Sequence, residues 1–169
     1  MILKKICLLG DFAVGKTSLV RRYVDRQFSD QYLSTVGVKI SRKLLDYSSP
    51  ESEDRKLQLV LWDIEGSTEF KGIPSSYIQG AHGAVVVGDL TRKDTLEHVE
   101  SHIAQFFMAN PTAYAVVAFN KADLSEHQLP LNHFAEANKR ILATIRTSAK
   151  TGDSVDQLFD VLGRQLIIV

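Results

Sequence analysis

Gly10, Gly15, Lys16 and Thr17 stand in the stretch "GDFAVGKTS" at the spacing G-x-x-x-x-G-K-[ST], an arrangement suited to gripping a polyphosphate. Such a loop turns successive backbone N–H groups and a helix N-terminus toward the anion. Lys16 would reach the β and γ phosphates, and the Thr17 hydroxyl would ligate Mg2+. The apolar run "ILKKICLLG" lies directly before the motif, and Leu19, Val20, Tyr23 and Val24 follow it at helical spacing. These supply the strand and the helix that the motif requires.

A second set of groups could select a base. "NKAD", Asn120 to Asp123, follows an apolar strand ending at Phe119, so it sits at the C-terminal edge of a sheet, where ligands of open α/β folds bind. A carboxylate at Asp123 can accept hydrogen bonds from both N1–H and the 2-amino group of guanine. Adenine lacks both donors and would leave a desolvated charge unpaired. "SAK", Ser148 to Lys150, follows another short extended run and would offer the backbone N–H of Ala149 to the guanine O6. Between the two sets, Asp63 and Gly66 in "WDIEGSTEF" suit a loop that meets a metal-bound phosphate.

The elements that must position these groups are legible as alternation. Runs rich in β-branched residues recur at "ILKKICLLG", "KLQLVLWD", "GAVVVGDL" and "AYAVVAFN", each followed by a loop and then a segment with helical spacing. One such stripe is Leu96, Val99, Ile103, Phe106 and Phe107; another is Val155, Leu158, Phe159, Leu162 and Leu166. Thr91 with Asp94, and Ser154 with Gln157, resemble capping boxes at the starts of these helices. The segment "GVKISRKLLDYSSPESEDRKLQLVLWD" instead gives two extended runs joined by a polar turn with Pro50, which makes them antiparallel neighbours. The other strands, continuously apolar and joined by helices, should be parallel and buried.

Composition narrows the classes. The 169 residues are 44% hydrophobic and 24% charged, enough for one globular domain, and 20 basic against 20 acidic residues give no net charge to draw nucleic acid or an anionic membrane. Cys7, the single cysteine, lies in an apolar run and reads as a buried thiol in a reducing cytosol. The N-terminus is not a signal peptide, no apolar run approaches the ~20 residues that span a bilayer, and "QLIIV" offers no cysteine for a prenyl group. No lipid anchor is therefore expected, and a cytoplasmic location is, with membrane recruitment only through partners.

"GDFAVGKT", a threonine at position 35, "DIEG", "NKAD" and "SAK", taken in this order, make the chain resemble the Ras-like small GTPases over nearly its whole length. It is most similar to the Rab group, above all in "KTSLVRRYVDRQFSDQYLSTVGVKI" and "TSAKTGDSVDQLFDVL". The resemblance implies an α/β P-loop GTPase fold, the G domain. This is a mostly parallel six-stranded sheet with one antiparallel edge strand and helices on both faces, here a single domain over residues 1–169. It implies a GTP/GDP switch dependent on Mg2+, with Thr17, Thr35 and Asp63 as the metal set. Phe28 would stack beside the guanine, and Tyr32 would lie over the phosphates. Gly66 would donate its N–H to the γ-phosphate and act as the hinge of switch II. The nucleotide-binding set would comprise the phosphate loop, Gly10, Asp11, Phe12, Ala13, Val14 and Gly15, continuing into Lys16, Thr17 and Ser18. Ser29, Asp30, Asn120, Lys121, Leu124, Ser148 and Lys150 would join it beside Asp123 and Ala149. Lys16, Thr35 and Gly66 would serve hydrolysis, with a weak part for Ser67. The implied partners are effectors meeting switch I and switch II, an exchange factor and an activating protein; nucleic acid is not among them.

Three departures bear on turnover. The family positions the attacking water with a glutamine where this chain has Ser67, whose shorter side chain cannot do so from the same backbone position. Phe12 and Ala13 stand where small residues, often glycine, admit a catalytic arginine, and Phe12 would obstruct it. Glu65 replaces a usual alanine, and an unpaired anion beside a triphosphate is costly, so Glu65 should turn outward and pair with a basic group. Slow hydrolysis is the expectation, and a persistently GTP-bound module recognised through its switch surface is the alternative. His98 and His102 fall outside the apolar stripe of their helix and read as a solvated face. Arg21, Arg22 and Arg26 read as the solvated face of the first helix.

Overall fold

The computed structural model describes residues 1–32, 34–49, 55–66, 73–126 and 133–169. Its strands are β1 (Ile2–Gly10), β2 (Val38–Asp46), β3 (Lys56–Ile64), β4 (Gly83–Asp89), β5 (Tyr114–Asn120) and β6 (Ile141–Arg146). They form one sheet of six strands in the order β2-β3-β1-β4-β5-β6. The β2–β3 pair is antiparallel, from Val38 opposite Ile64 to Asp46 opposite Lys56, and every other pairing is parallel. The mostly parallel sheet with one antiparallel edge strand is therefore as expected. Pro50, assigned to the turn of that pair, lies outside the described residues.

The helices are α1 (Lys16–Asp25), α2 (Ser75–Ile78), α3 (Lys93–Glu97), α4 (Val99–Ala109), α5 (His133–Ala137) and α6 (Val155–Ile167). Alternate residues along the central strands serve opposite faces. Ile6, Leu8, Val85, Val87, Val116 and Ala118 pack with Leu19 and Tyr23 of α1 and Leu158, Phe159 and Leu162 of α6. Cys7, Leu9, Val86 and Val117 pack with Val99, Ile103, Phe106 and Phe107 of α4. Two-sided cover explains why all seven residues of β4 are buried, and each large aliphatic side chain so buried stabilises the fold by about 1.5–3 kcal/mol. The Cys7 thiol is buried in the second cluster, and burial pushes its pKa up to about 12, so it is a packing residue.

Neither expected capping box forms. The Arg92 backbone takes the N-cap position of α3, and the Thr91 hydroxyl donates instead to Asp89 Oδ1 at 2.6 Å. Ser154 precedes α6 in a left-handed conformation, φ 57°, with no side-chain cap bond. A strand-end carboxylate outcompeted the helix N–H for the first hydroxyl, and the left-handed backbone leaves the second without a cap bond. The stripe from Leu96 to Phe107 divides into α3 and α4 at His98, which keeps right-handed helical angles (φ −79°, ψ −11°).

This topology sets the site. The C-terminal ends of β1, β3, β4 and β5 lie side by side, so the loops leaving them converge on one edge of the sheet.

Candidate functional site

The loop between β1 and α1 turns through backbone angles that few side chains permit. Gly10 has φ +149°, and a Cβ there would lie 2.4 Å from the Val87 carbonyl oxygen; Gly15 has φ +101°, and its Cβ would lie 2.3 Å from Asn120 Nδ2. Ala13 also takes a positive φ, 59°. Three successive carbonyls of the loop are held from outside. Arg92 Nη2 donates to Phe12 O at 2.6 Å, Lys121 Nζ to Ala13 O at 3.0 Å and Asn120 Nδ2 to Val14 O at 3.0 Å. With these three carbonyls taken up by side chains, the loop suits the anion-binding nest of N–H groups that the motif calls for.

Asp89, fully buried at the end of β4, anchors two of these donors. Its Oδ2 accepts from Arg92 Nε at 3.1 Å and from Lys121 Nζ at 2.8 Å. Burial alone would raise the Asp89 pKa, but the hydrogen bonds from Lys121, Thr91 and Arg92 outweigh it and hold the carboxyl below its ordinary value. Lys16 is 6% exposed and donates to the carbonyls of Gly10 and Asp11 at 2.9 Å each. Burial lowers its pKa to about 8, opposed by the charges of Asp63 and Asp11.

A cluster of hard oxygens lies beside Lys16. Thr17 Oγ1 donates to Asp63 Oδ2 at 2.5 Å and lies 2.6 Å from Thr35 Oγ1, which is 3.3 Å from the same carboxylate oxygen. Asp63 is 1% exposed, and its Oδ1 has no hydrogen-bond partner among the described residues. Burial raises its pKa, opposed by the Thr17 hydrogen bond, the Lys16 charge and Thr35. A buried carboxylate with an orphaned oxygen, flanked by two hydroxyls, is a donor set that suits Mg2+.

At the other end of the cleft, Ser148 Oγ donates to Asp123 Oδ1 at 2.7 Å. Asn120 Oδ1 accepts from Thr147 Oγ1 at 3.2 Å and from Ala149 N–H at 3.3 Å, so one side chain joins the "NKAD" and "SAK" loops while its amide nitrogen holds the phosphate loop. Arg22, expected on a solvated face, instead donates to the carbonyls of Ala149 and Lys150 at 2.8 and 2.5 Å. Helical spacing places it correctly on the outer face of α1, but the "SAK" loop folds over that face.

A cleft of about 320 Å³ connects the two ends, walled by phosphate-loop residues, Phe28 to Tyr32, Thr35, Gly66, Asn120, Lys121, Asp123, Leu124, Ala149 and Lys150. Phe28 is half-buried against the core below. Ser18, Ser29 and Asp30 also line the cleft, as do Gln31 and Ile64, which the motifs did not single out. Gly10, Asp11, Val14, Asp63 and Ser148 stand behind the wall and act on it through the contacts above. Ser67, the proposed weak catalytic residue, lies outside the described residues.

Residues 5–168 match the sequence profile of the Ras family. The chain belongs to the Ras family. It is 35% identical over 170 residues to GTP-binding protein ypt5 of Schizosaccharomyces pombe, an alignment covering 96% of this chain and 77% of that protein. It is 31% identical over 161 residues to Ras-related protein Rab-1C of Dictyostelium discoideum, covering 94% and 78%. With Ras-related protein Rab-1 of Theileria parva it shares 32% over 168 residues, covering 96% and 73%. This Ras-family chain is thus Rab-like, and membership makes it a small GTPase, a switch that binds guanine nucleotide and generally uses Mg2+.

Several side chains around the cleft of this Ras-family protein make contacts of their own. The Phe12 ring packs on Tyr32, centroids 5.2 Å apart, so the phosphate end is covered by an aromatic pair. Glu65 points outward as expected, but its partner is the Gly37 N–H and not a basic group. His98 and His102 are not a solvated face. His98 Nδ1 lies 2.5 Å from Asp11 Oδ2 and His102 Nε2 lies 2.8 Å from Asp11 Oδ1, so α4 grips the phosphate loop by its second residue.

The hydrogen bond to Asp11 holds the His98 pKa above its ordinary 6.5, helped by the charges of Asp11, Asp94 and Glu97 and opposed by burial. A value raised in the folded state gives stabilisation that is complete below the unfolded value and is lost as pH rises through the folded one. The Tm difference between the native protein and His98→Ala should therefore be larger near about pH 6 than near about pH 8.5, as measured by thermal unfolding at both.

Proposed function

We propose that the protein is a Mg2+-dependent guanine-nucleotide switch that hydrolyses GTP to GDP and phosphate slowly, working as one domain over residues 1–169. The observation that carries the reading is the pairing, on one cleft, of a base-reading carboxylate, Asp123, with the oxygen cluster of Thr17, Thr35 and Asp63. Asp123 reads the guanine edge, with Ala149 N–H at O6 and Phe28 beside the ring. The nest from Gly10 to Gly15, with Lys16, Thr17 and Ser18, holds the phosphates. Bound at the oxygen cluster, Mg2+ would neutralise charge on the β and γ phosphates. Gly66 senses the γ-phosphate from switch II. A Cβ at Gly66 would lie 2.7 Å from both N and Cα of Phe12, so only glycine brings that backbone so close to the phosphate loop.

Slow turnover follows from what surrounds the γ position. Ser67 cannot orient water as glutamine does, and the Phe12 ring, packed on Tyr32, would obstruct a partner's arginine. In single-turnover hydrolysis of labelled GTP, the expected rate is on the order of 10⁻⁴ per second or lower, and Ser67→Gln should change it little. A rate well above that would assign the water to another residue, such as Glu65 or Glu69, the second of which lies outside the described residues.

The same aromatic pair supports the second reading, a persistently GTP-bound module recognised by effectors through switch I and switch II. The nucleotide that copurifies separates the two: GDP indicates turnover and GTP the persistent state. The buried Cys7 thiol is in keeping with a cytoplasmic protein.

A further inference from the structure

The β2–β3 ladder ends at Val38 opposite Ile64; the residue before Val38, Gly37, lies in the loop that carries Thr35 (switch I), and the residue after Ile64, Glu65, lies beside Gly66 (switch II). There the pairing continues by other means. Glu65 N–H donates to the Gly37 carbonyl at 2.8 Å, and the Gly37 N–H donates to Glu65 Oε2 at 3.0 Å. One residue of switch II thus takes both backbone groups of one residue of switch I. Gly37 has φ +71°, the left-handed region that favours glycine, with open space where a Cβ would be. Among the described residues Glu65 makes no ion pair, and its Oε2 accepts from Gly37.

The closure sits between the groups that a γ-phosphate would engage. Two residues before Gly37 is Thr35, on Thr17 and Asp63; two residues before Glu65 is Asp63 itself; one residue after is Gly66, against the Phe12 backbone. A chain fastened at Gly37 leaves Thr35 a tether of two residues, roughly 7 Å at full extension. In switches whose loops are held only by the γ-phosphate, its loss frees them. Here a contact made by the protein alone would oppose that release.

We propose that Glu65 is a positioning residue that fastens switch I to switch II and keeps Thr35 at the metal site in the GDP-bound as well as the GTP-bound protein. The proposal rests on the nucleotide-binding reading above. Its consequence is a switch whose two states differ less on the switch I side, because a ligand shifts an equilibrium only by its differential affinity for the two states.

The test is amide exchange by NMR at Ser34, Thr35 and Val36 in the native protein, Glu65→Ala and Glu65→Gln, each loaded with GDP or a non-hydrolysable GTP analogue. These amides neighbour the closure without forming it. In the native protein the two nucleotides should give exchange rates within about twofold of each other. Glu65→Ala should raise exchange in the GDP form about fivefold, the effect of one ordinary hydrogen bond, with less change in the analogue form. Glu65→Gln keeps an acceptor for Gly37 and should follow the native protein. Unchanged exchange in Glu65→Ala, a glutamine variant that behaves like alanine, or a native protein whose GDP form exchanges many times faster than its analogue form would each overturn the proposal. Failure of fluorescently labelled GDP to bind the native protein at all would instead overturn the nucleotide reading.

Discussion

The Asp123→Ala variant is expected to bind GDP and GTP on the order of 10²–10³-fold more weakly than the native protein, with little change in Tm. Guanine presents two adjacent donors, and a carboxylate that accepts both contributes about 1.5–3 kcal/mol per bond once desolvated. Alanine leaves both donors unpaired in the cleft. The fold should tolerate the change because Asp123 lies on an exposed loop, where its one hydrogen bond among the described residues comes from Ser148 Oγ at 2.7 Å. Fluorescence titration with a labelled guanine nucleotide reads the affinity and thermal unfolding reads the fold. An unchanged affinity would remove Asp123 from base recognition, and a parallel collapse of Tm would make its role structural.

Gly15→Ala should act at a different level, on the scaffold itself. A Cβ at Gly15 would stand 2.3 Å from Asn120 Nδ2, at a φ of +101° that disfavours any L side chain. The left-handed conformation costs about 1–2 kcal/mol. The displaced Nδ2 is the donor to Val14 O, and a carbonyl left unsatisfied there costs about 1–3 kcal/mol more. A destabilisation of roughly 2–5 kcal/mol lowers Tm by about 5–15 °C in a chain of this size, which a calorimetric scan resolves. A Tm within 2 °C or so of the native value would mean that the loop relaxes around the methyl group.

Much of the site could be read before any coordinates, because its defining groups are local. Gly10, Gly15, Lys16 and Thr17 carry their meaning within eight consecutive positions, as Asn120, Lys121 and Asp123 do within four. The sheet was legible for a similar reason: parallel strands buried on both faces are apolar throughout, and β4 and β5 show it. The contacts that escaped the sequence reading join distant segments. Periodicity identified the face of α4 that meets the core, and His98 and His102 lie off it. Nothing in that spacing could announce that Asp11, 87 and 91 positions away, would be their partner. Arg22 was placed on the correct face of α1, yet the loop that covers that face is 127 positions further along. For Glu65 the outward direction followed from electrostatics, since an anion avoids a triphosphate. Its partner did not, because a backbone N–H carries no signature in a sequence. The capping boxes failed through competition of the same kind: the Thr91 hydroxyl had a carboxylate from the strand end within reach.

Arg92, Lys121 and Asn120 hold the three carbonyls of Phe12, Ala13 and Val14 like fingers on the back of a cupped hand. Two of those fingers, Lys121 and Asn120, belong to the motif proposed to read the base. On the nucleotide reading proposed above, recognition of the two ends of the ligand is therefore not modular: the curvature that would greet the phosphates is maintained by residues proposed for another task. A change at Asn120 would be felt even by inorganic triphosphate, a molecule with no base to recognise, and grafting a different base-reading loop onto this scaffold would alter the cup as well as its preference.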